Sequence, residues 1–514
     1  MPRAKALMFL GTGSDVGKSV LAAAFCRILH NRGLRVAPFK AQNMALNSYI
    51  TPEGGEMGRA QVVQAEAAGI APHTDMNPIL LKPTSQMGSQ VIVRGRSIGN
   101  FSAREYYEYK KELVGVVRES FERLAAENDV IVLEGAGSAV ELNLKEHDLV
   151  NFAMAEMADA RCILAGDIDR GGIFAALLGT FMLLSEREKE RVIGFIVNKL
   201  RGDPKLFGDG AEIIESRSGR PVFGVVPYFE HIALGEEDSV ALKRRMERRP
   251  GSGDADAVRV GVVRLPFISN YTDFDCFEQE PGVALVYFDR PGETFDFDAV
   301  IVPGSKNTIE DLAALRESGM AVALLAYYKS GGTVVGLCGG YQMMGARVRD
   351  PHGMESALAE IPGLGLLDMD TEMFSDKITS QVEAEIVGGT GTFRAGDAPL
   401  RGYEIHMGRR RSGGGAKPLF RITRRDGLPV QAPDGLSTPD GRAWGTYIHG
   451  IFDNDALRRD FLEGLRARSG KGSGPVSSGF SYSRWKDEQY ELLAEFVSRH
   501  VDVDRIFVEM GISR

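Results

Sequence analysis

Two short stretches of this chain carry residue types that could do chemistry. Near the N-terminus, Gly11-Thr12-Gly13-Ser14-Asp15-Val16-Gly17-Lys18-Ser19 follows a short apolar run and precedes a helical pattern. Glycines let backbone N–H groups turn toward phosphate oxygens, and a helix N-terminus adds a favourable dipole. Lys18 would reach the β- and γ-phosphates of ATP, and Ser19 would hold Mg²⁺. The strict pattern asks for Gly where this chain has Thr12, with Gly11 one place earlier, so the loop is a variant. Far downstream, Val334-Val335-Gly336-Leu337-Cys338-Gly339-Gly340-Tyr341-Gln342 sets a cysteine at a strand-to-helix turn flanked by glycines. Such an elbow exposes a nucleophile on strained backbone, and a helix N-terminus favours the reactive thiolate. The N–H of Gly339 would face a tetrahedral oxyanion. Cys26, Cys162 and Cys276 read as buried structural thiols.

Other polar residues end apolar runs, where ligands sit in open parallel sheets. Lys40 could neutralise a γ-phosphate or an acyl phosphate, or be a solvated lysine. Glu134, in Val132-Leu133-Glu134-Gly135-Ala136-Gly137, would be a costly buried carboxylate without a partner. It suits a second Mg²⁺ contact or a helix cap. Asn198, in Ile196-Val197-Asn198-Lys199, suits adenine recognition or strand-end capping.

The elements that must position these residues alternate in type. Residues 6–10, 35–39, 129–133, 162–165, 192–197 and 222–226 are short and apolar, and helical patterning lies between them, as at 18–29 and 103–128. Apolar runs of this kind come from parallel sheets buried on both faces, which predicts an α/β doubly wound P-loop domain over 1–246. Residues 247–257, rich in Pro, Gly and alternating charge, read as a linker. A second α/β series follows at 258–264, 299–302, 333–337 and 443–448, giving a domain over 258–455. The pattern at 408–439 is turn-rich. A helical segment is expected over 456–514, interrupted by flexible chain at 469–478.

The Gly-Thr-x-x-x-Val-Gly-Lys-Ser loop resembles that of dethiobiotin synthetase and its relatives, which phosphorylate a carboxylate or carbamate with ATP. The elbow resembles the Gly-x-Cys-x-Gly-x-Gln motif of class I glutamine amidotransferases, a likeness that reaches Gln342. On that resemblance, the turn Val302-Pro303-Gly304-Ser305-Lys306-Asn307 supplies the other oxyanion N–H. Gly445-Thr446-Tyr447-Ile448-His449-Gly450 supplies the general base, His449. Most of that class has Glu two residues beyond the histidine, where this chain has Ile451. The expected site is therefore a Cys338–His449 dyad with an unidentified group orienting the imidazole.

Domain order and the missing Glu resemble the cobalamin-pathway amidases, and long strings narrow the likeness to the cobyric acid synthase family. They include Lys40-Ala41-Gln42-Asn43-Met44-Ala45-Leu46-Asn47-Ser48, Glu146-His147-Asp148-Leu149-Val150-Asn151 and Arg401-Gly402-Tyr403-Glu404-Ile405-His406-Met407-Gly408. Ala139 departs from the proline expected there. The resemblance implies a corrinoid substrate, adenosylcobyrinic acid a,c-diamide, amidated at its b, d, e and g side chains with ammonia from L-glutamine. Lys40, Asn43 and Asp148 would stand on the substrate side; the alternative for Asp148 is an N-cap of the helix through 150–157. Rival readings are the related a,c-diamide synthase and a non-catalytic P-loop switch.

Composition is that of an ordinary soluble chain: 514 residues, 43% hydrophobic and 25% charged. That length predicts two or three domains. A formal net charge of −9 argues against nonspecific nucleic-acid binding, and the basic run at 243–249 reads as a solvated face. No apolar stretch reaches the roughly 18–20 residues that span a bilayer. Widely spaced cysteines indicate neither disulfides nor zinc, so a cytoplasmic enzyme is expected.

Overall fold

A computed structural model describes residues 4–83, 88–229, 232–234, 256–394, 396–412, 417–471 and 479–512. The basic run and nearly all of the expected linker lie outside them, as does 472–478 of the expected flexible stretch. The chain divides into two compact units.

The first unit comprises Met1–Ala45, Glu56–Gly235 and Lys486–Arg514. Its parallel sheet runs, from edge to edge, Val222–Pro227, Val192–Leu200, Arg161–Asp167, Lys5–Gly11, Val130–Glu134 and Val36–Phe39. Every apolar run predicted in this half is a strand. The central ones are buried along nearly their whole length, as sheets covered on both faces require. Lys5–Gly11 lies between Arg161–Asp167 and Val130–Glu134, pairing Gly11 with Ala165 and Phe9 with Glu134. Connections diverge to either side of it, so a crevice opens at the carboxyl ends of these strands.

Two local expectations change. The helix expected at 103–128 is two, Ala103–Tyr109 and Leu113–Glu127, because the chain turns through 110–112. Four strands not anticipated from the sequence, Gln42–Met44, Ile79–Pro83, Gly88–Val93 and Arg96–Ser102, form a second small sheet. Their polar residues hid them, and one, Lys82, is buried because it pairs with Glu56 at 2.8 Å.

The second unit comprises Leu46–Gly55 and Glu236–Trp485. Its parallel strands run Val283–Phe288, Val258–Val263, Ala299–Val302, Thr333–Leu337 and Ala443–Thr446, with Leu436–Ser437 added antiparallel. Much of the turn-rich stretch at 408–439 is strand. Met369–Ile386, Gly396–Ser412, Phe420–Arg425 and Leu428–Asp434 form a mainly antiparallel sheet between the elbow and His449 in the chain. The helical segment expected at 456–514 divides. Asp455–Ser469 packs Leu457, Phe461, Leu462 and Leu465 into the second core, whereas Leu493, Val497, Ile506 and Phe507 belong to the first.

Candidate active sites

In the first unit the loop after Lys5–Gly11 is held open by backbone geometry and by strand-end side chains. Gly17 has φ 98°, and a Cβ there would stand 2.1 Å from Asn198 Nδ2. Asn198 donates that amide to Val16 O at 2.8 Å, fixing the loop from the strand two places away in the sheet. Its Oδ1 has no hydrogen-bond partner among the described residues. Thr12 N–H donates to Ala165 O at 3.0 Å. Lys18 Nζ donates to Gly13 O and Gly137 O at 2.8 and 2.9 Å, folded over the cradle a phosphate would fill.

Glu134 is the hub of this site. It is 2% exposed and accepts from Ser19 Oγ at 2.8 Å, Lys40 Nζ at 2.7 Å, Gln64 Nε2 at 2.6 Å and Gln61 Nε2 at 3.4 Å. Burial opposes its charge, but the Lys40 ammonium and these donors outweigh burial and hold the carboxyl below its ordinary value. Asn43 joins the network by donating to Gln61 Oε1 at 3.1 Å. The loop beyond Glu134 is clamped by Asn151, which accepts from Ala136 N–H and donates to Ala136 O and Ser138 O. Ala139 N–H closes it on Gly11 O at 2.9 Å. Both Asp148 oxygens accept backbone N–H groups, from Val150 and Asn151 at 2.9 Å and from Ala153 at 3.0 Å, so Asp148 holds the turn that enters the helix Phe152–Ala158, whose N-cap is Asn151 rather than Asp148.

The donor set suits Mg²⁺. Ser19 and Glu134 offer adjacent hard oxygens, and no group of three His, Cys, Asp or Glu able to hold a metal occurs among the described residues. Mg²⁺ takes few protein oxygens and completes its shell with phosphate and water.

In the second unit Cys338 has φ 49° and ψ −107°, a strained conformation for a non-glycine residue, at the start of the helix Gly339–Met343. Gly340 must lack a side chain, since a Cβ would meet Val302 O at 1.9 Å. A Cβ on Gly339 would lie 2.9 Å from Ser305 N, so the turn carrying Gly304 packs directly on the elbow. The thiol donates weakly to Ile405 O at 3.5 Å, and Cys338 N–H donates to Thr446 O on the strand leading to His449. Gln342 is buried, its Oε1 accepting from Thr308 Oγ1 at 3.1 Å.

His449 is oriented by Asp273. Its Nδ1 lies 2.6 Å from Asp273 Oδ2, and Gly450 N–H donates to the other carboxylate oxygen at 2.9 Å. Nε2 is buried and has no hydrogen-bond partner among the described residues. Burial works against the imidazolium, but the charges of Asp273 and Cys338 and the hydrogen bond to Asp273 prevail, and its pKa is pushed up to about 10. Ile451, at the place of the usual Glu, is fully buried in the core. The other thiols are inert by burial, which pushes Cys162 up to about 12 and Cys26 and Cys276 higher than ordinary.

Three residues of these sites were not found from the sequence. Asp273 sits in Asn270-Tyr271-Thr272-Asp273-Phe274, a polar turn after the unit's first strand, far from the position where the resemblance directed the search. Gln61 and Gln64 left a signal: they stand three apart in a helix otherwise rich in Val and Ala, and both are fully buried.

A nucleotide-type loop in one α/β unit and a Cys–His–Asp elbow in another define a glutamine amidotransferase joined to a nucleotide-binding domain. Residues 7–240 match the CobQ/CobB/MinD/ParA nucleotide binding domain, and 259–457 match the CobB/CobQ-like glutamine amidotransferase domain. The chain is 75% identical over 510 residues to the cobyric acid synthase of Syntrophobacter fumaroxidans, covering 99% of both chains. It is 49% identical to that of Sorangium cellulosum, again over 99% of both. Identity to the Desulfitobacterium hafniense protein is 48%, over 99% of this chain and 98% of the other. The chain belongs to the cobyric acid synthase family and is a glutamine-hydrolysing carbon–nitrogen ligase. No helix among the described residues is long and apolar enough to cross a membrane.

Proposed function

We propose that the chain uses ATP and L-glutamine to amidate the b, d, e and g carboxylates of adenosylcobyrinic acid a,c-diamide, giving adenosylcobyric acid. The observation that carries this reading is the convergence of Ser19, Lys40, Gln61 and Gln64 on Glu134 beside the phosphate loop. A switch ATPase needs a phosphate cradle, whereas an amidoligase must also bring a second anion, the acceptor carboxylate, to the γ-phosphate. Lys40 supplies positive charge for that meeting.

The acceptor oxygen attacks the γ-phosphorus, ADP leaves, and an acyl phosphate results. Oxide is a poor leaving group and phosphate a good one, so ammonia can then attack the acyl carbon and expel phosphate. Lys18 and the loop N–H groups hold the transferring phosphoryl group. Mg²⁺, held by Ser19 and Glu134, neutralises phosphate charge when bound. Asn198 keeps the loop in shape, and its unpartnered Oδ1 is an acceptor for the adenine amino group.

In the second unit the Cys338 thiolate attacks the glutamine side-chain carbonyl, with N–H groups of Gly339 and the 304–305 turn facing the oxyanion. His449 gives its proton to the departing ammonia and then takes one from the water that releases glutamate. Asp273 keeps the imidazole in the tautomer and orientation both steps need. Thr308 and Gln342 brace the turn against the elbow.

Incubation with ATP, glutamine and adenosylcobyrinic acid a,c-diamide, with mass analysis of the corrinoid, tests the reading. Stepwise conversion to adenosylcobyric acid is expected. Amidation of cobyrinic acid at a and c, with the a,c-diamide left untouched, would overturn it.

A further inference from the structure

One buried carboxylate of the second unit stands outside the Cys338–His449–Asp273 set. Asp311 is fully buried near the start of the helix Thr308–Glu317. A carboxylate withdrawn from water is costly unless donors surround it, so its partners are informative. Helical side chains lean toward the N-terminus, which aims this one back over the turn that precedes the helix. Its Oδ2 accepts from Ser305 Oγ at 2.5 Å, and its Oδ1 accepts from Phe267 N–H at 3.0 Å. Ser305 Oγ in turn accepts the N–H of Asn307 at 3.0 Å.

These bonds form a clamp on the oxyanion turn. Ser269 N–H donates to Gly304 O at 3.0 Å and Lys306 N–H donates to Phe267 O at 2.9 Å, so residues 304–306 run along residues 267–269 as a short antiparallel pair. Asp311 ties the two edges of that pair together, one carboxylate oxygen to each. The turn's exit is pinned separately by Asn307, whose Oδ1 caps Glu310 N–H at 3.1 Å and whose Nδ2 donates to Glu355 O at 2.9 Å. On the elbow side there is no slack. A Cβ on Gly304 would stand 3.3 Å from the His449 ring, and one on Gly339 would stand 3.0 Å from Ser305 Cβ.

We infer that Asp311 is a positioning residue of the glutaminase: acting through Ser305 and Phe267, it holds the oxyanion turn against the Cys338 elbow. A hydroxyl donates more strongly to a charged oxygen than to a neutral one, so this clamp is firmer than the turn's backbone pairing alone. The turn's N–H groups then stay aimed at the place where charge develops, and no reorganisation is left for the moment of reaction.

The inference rests on reading Cys338 as the nucleophile, so Cys338→Ala is assayed in parallel. The full chain is given glutamine, and separately ammonium salt, each with ATP and corrinoid. It is also treated with iodoacetamide, from which a thiolate displaces iodide without forming an oxyanion. Asp311→Asn lowers kcat for glutamine about tenfold to hundredfold, the worth of one charge-assisted hydrogen bond. Its KM for glutamine is unchanged, because the lost support acts in the transition state. Alkylation of Cys338, read by peptide mass, keeps the parent rate, and so does ammonium-driven amidation. Burial and the neighbouring Glu355 and Glu310 push the Asp311 carboxyl up to about 7. The fold therefore binds that proton more tightly than the unfolded chain does, and ionised Asp311 subtracts stability above that pH, so Asp311→Asn keeps the parent Tm at pH 8. Ser305→Ala, which retains the backbone N–H and removes only the hydroxyl, gives the same fall in kcat. The double variant falls no further than the worse single one, since either change removes the same interaction. Unchanged kcat in either single variant overturns the inference, as do additive losses in the double variant. Slowed alkylation also overturns it, because the effect would then lie on the thiolate. So does loss with both nitrogen sources and a lowered Tm, since Asp311 would serve folding alone. Glutaminase surviving in Cys338→Ala would instead remove the underlying reading.

Discussion

Asp273 lies 2.6 Å from His449 Nδ1, although 176 positions separate the two in the chain. Its second oxygen takes the N–H of Gly450, so one carboxylate fixes both the ring and the backbone that bears it. A cysteine nucleophile, a histidine and a carboxylate are thus assembled without any acidic residue beyond the histidine.

Replacing that carboxylate separates orientation from the rest of the site. Asp273→Asn is expected to lower kcat for glutamine by about 10²–10⁴, in line with the loss of an orienting carboxylate elsewhere. Ammonium-driven amidation stays intact. His449 holds its proton up to about pH 10 because Asp273 and Cys338 overcome the effect of burial, so its alkaline limb should move to lower pH in the variant. The same linkage governs stability. A histidine whose folded pKa is raised contributes fully below about pH 6.5 and loses that contribution as pH climbs toward 10. Denaturation curves should therefore show the variant furthest below the parent at pH 6 and closest to it near pH 10.

Cys338→Ala is expected to abolish glutamine-dependent amidation and to retain activity with high ammonium salt, because only the nitrogen supply is lost. Equal loss with both sources would show that the thiol serves the synthetase chemistry as well.

Lys18→Ala is expected to remove amidation from either nitrogen source, since both need the acyl phosphate. Glu134→Gln should act the same way through a different route, leaving Lys40 without its carboxylate partner. Product formed from ammonium salt by either variant would place the phosphoryl transfer elsewhere.

Asp148→Asn is expected to lower stability by about 1 kcal/mol, the order of a weakened set of hydrogen bonds to backbone N–H groups. Three backbone N–H groups occupy its carboxylate, so partially amidated corrinoids should accumulate in the parent order. A changed order in the time course would mean that the side chain meets the acceptor.

The parallel strands were legible because each is an apolar run buried on both faces, and burial leaves little choice of residue. Lys18, Ser19, Cys338 and His449 were legible because phosphate cradles and nucleophile elbows confine their residues to a few consecutive positions. What escaped was assembled across long separations. Gln61 and Gln64 reach Glu134 from a separate helix, and Asp273 reaches His449 from a turn with no motif of its own. The long antiparallel strands at 369–434 escaped because their arginines and glutamates pair across strands, as Arg425 does with Glu404, and so resembled loop. Asn198 and Asp148 were singled out from sequence, but only the hydrogen bonds reveal the loop and helix end each one holds.

Ile451 ties the histidine to its upstream carboxylate. Its side chain fills an apolar slot, and His449 is already committed to Asp273. A single Ile451→Glu change would strand a second carboxylate in that slot with no imidazole nitrogen left to receive it. Loss of Asp273 alone would leave the histidine unsupported. The two placements of the orienting carboxylate are therefore separated by intermediates worse than either, and a lineage that has adopted the upstream one is held to it.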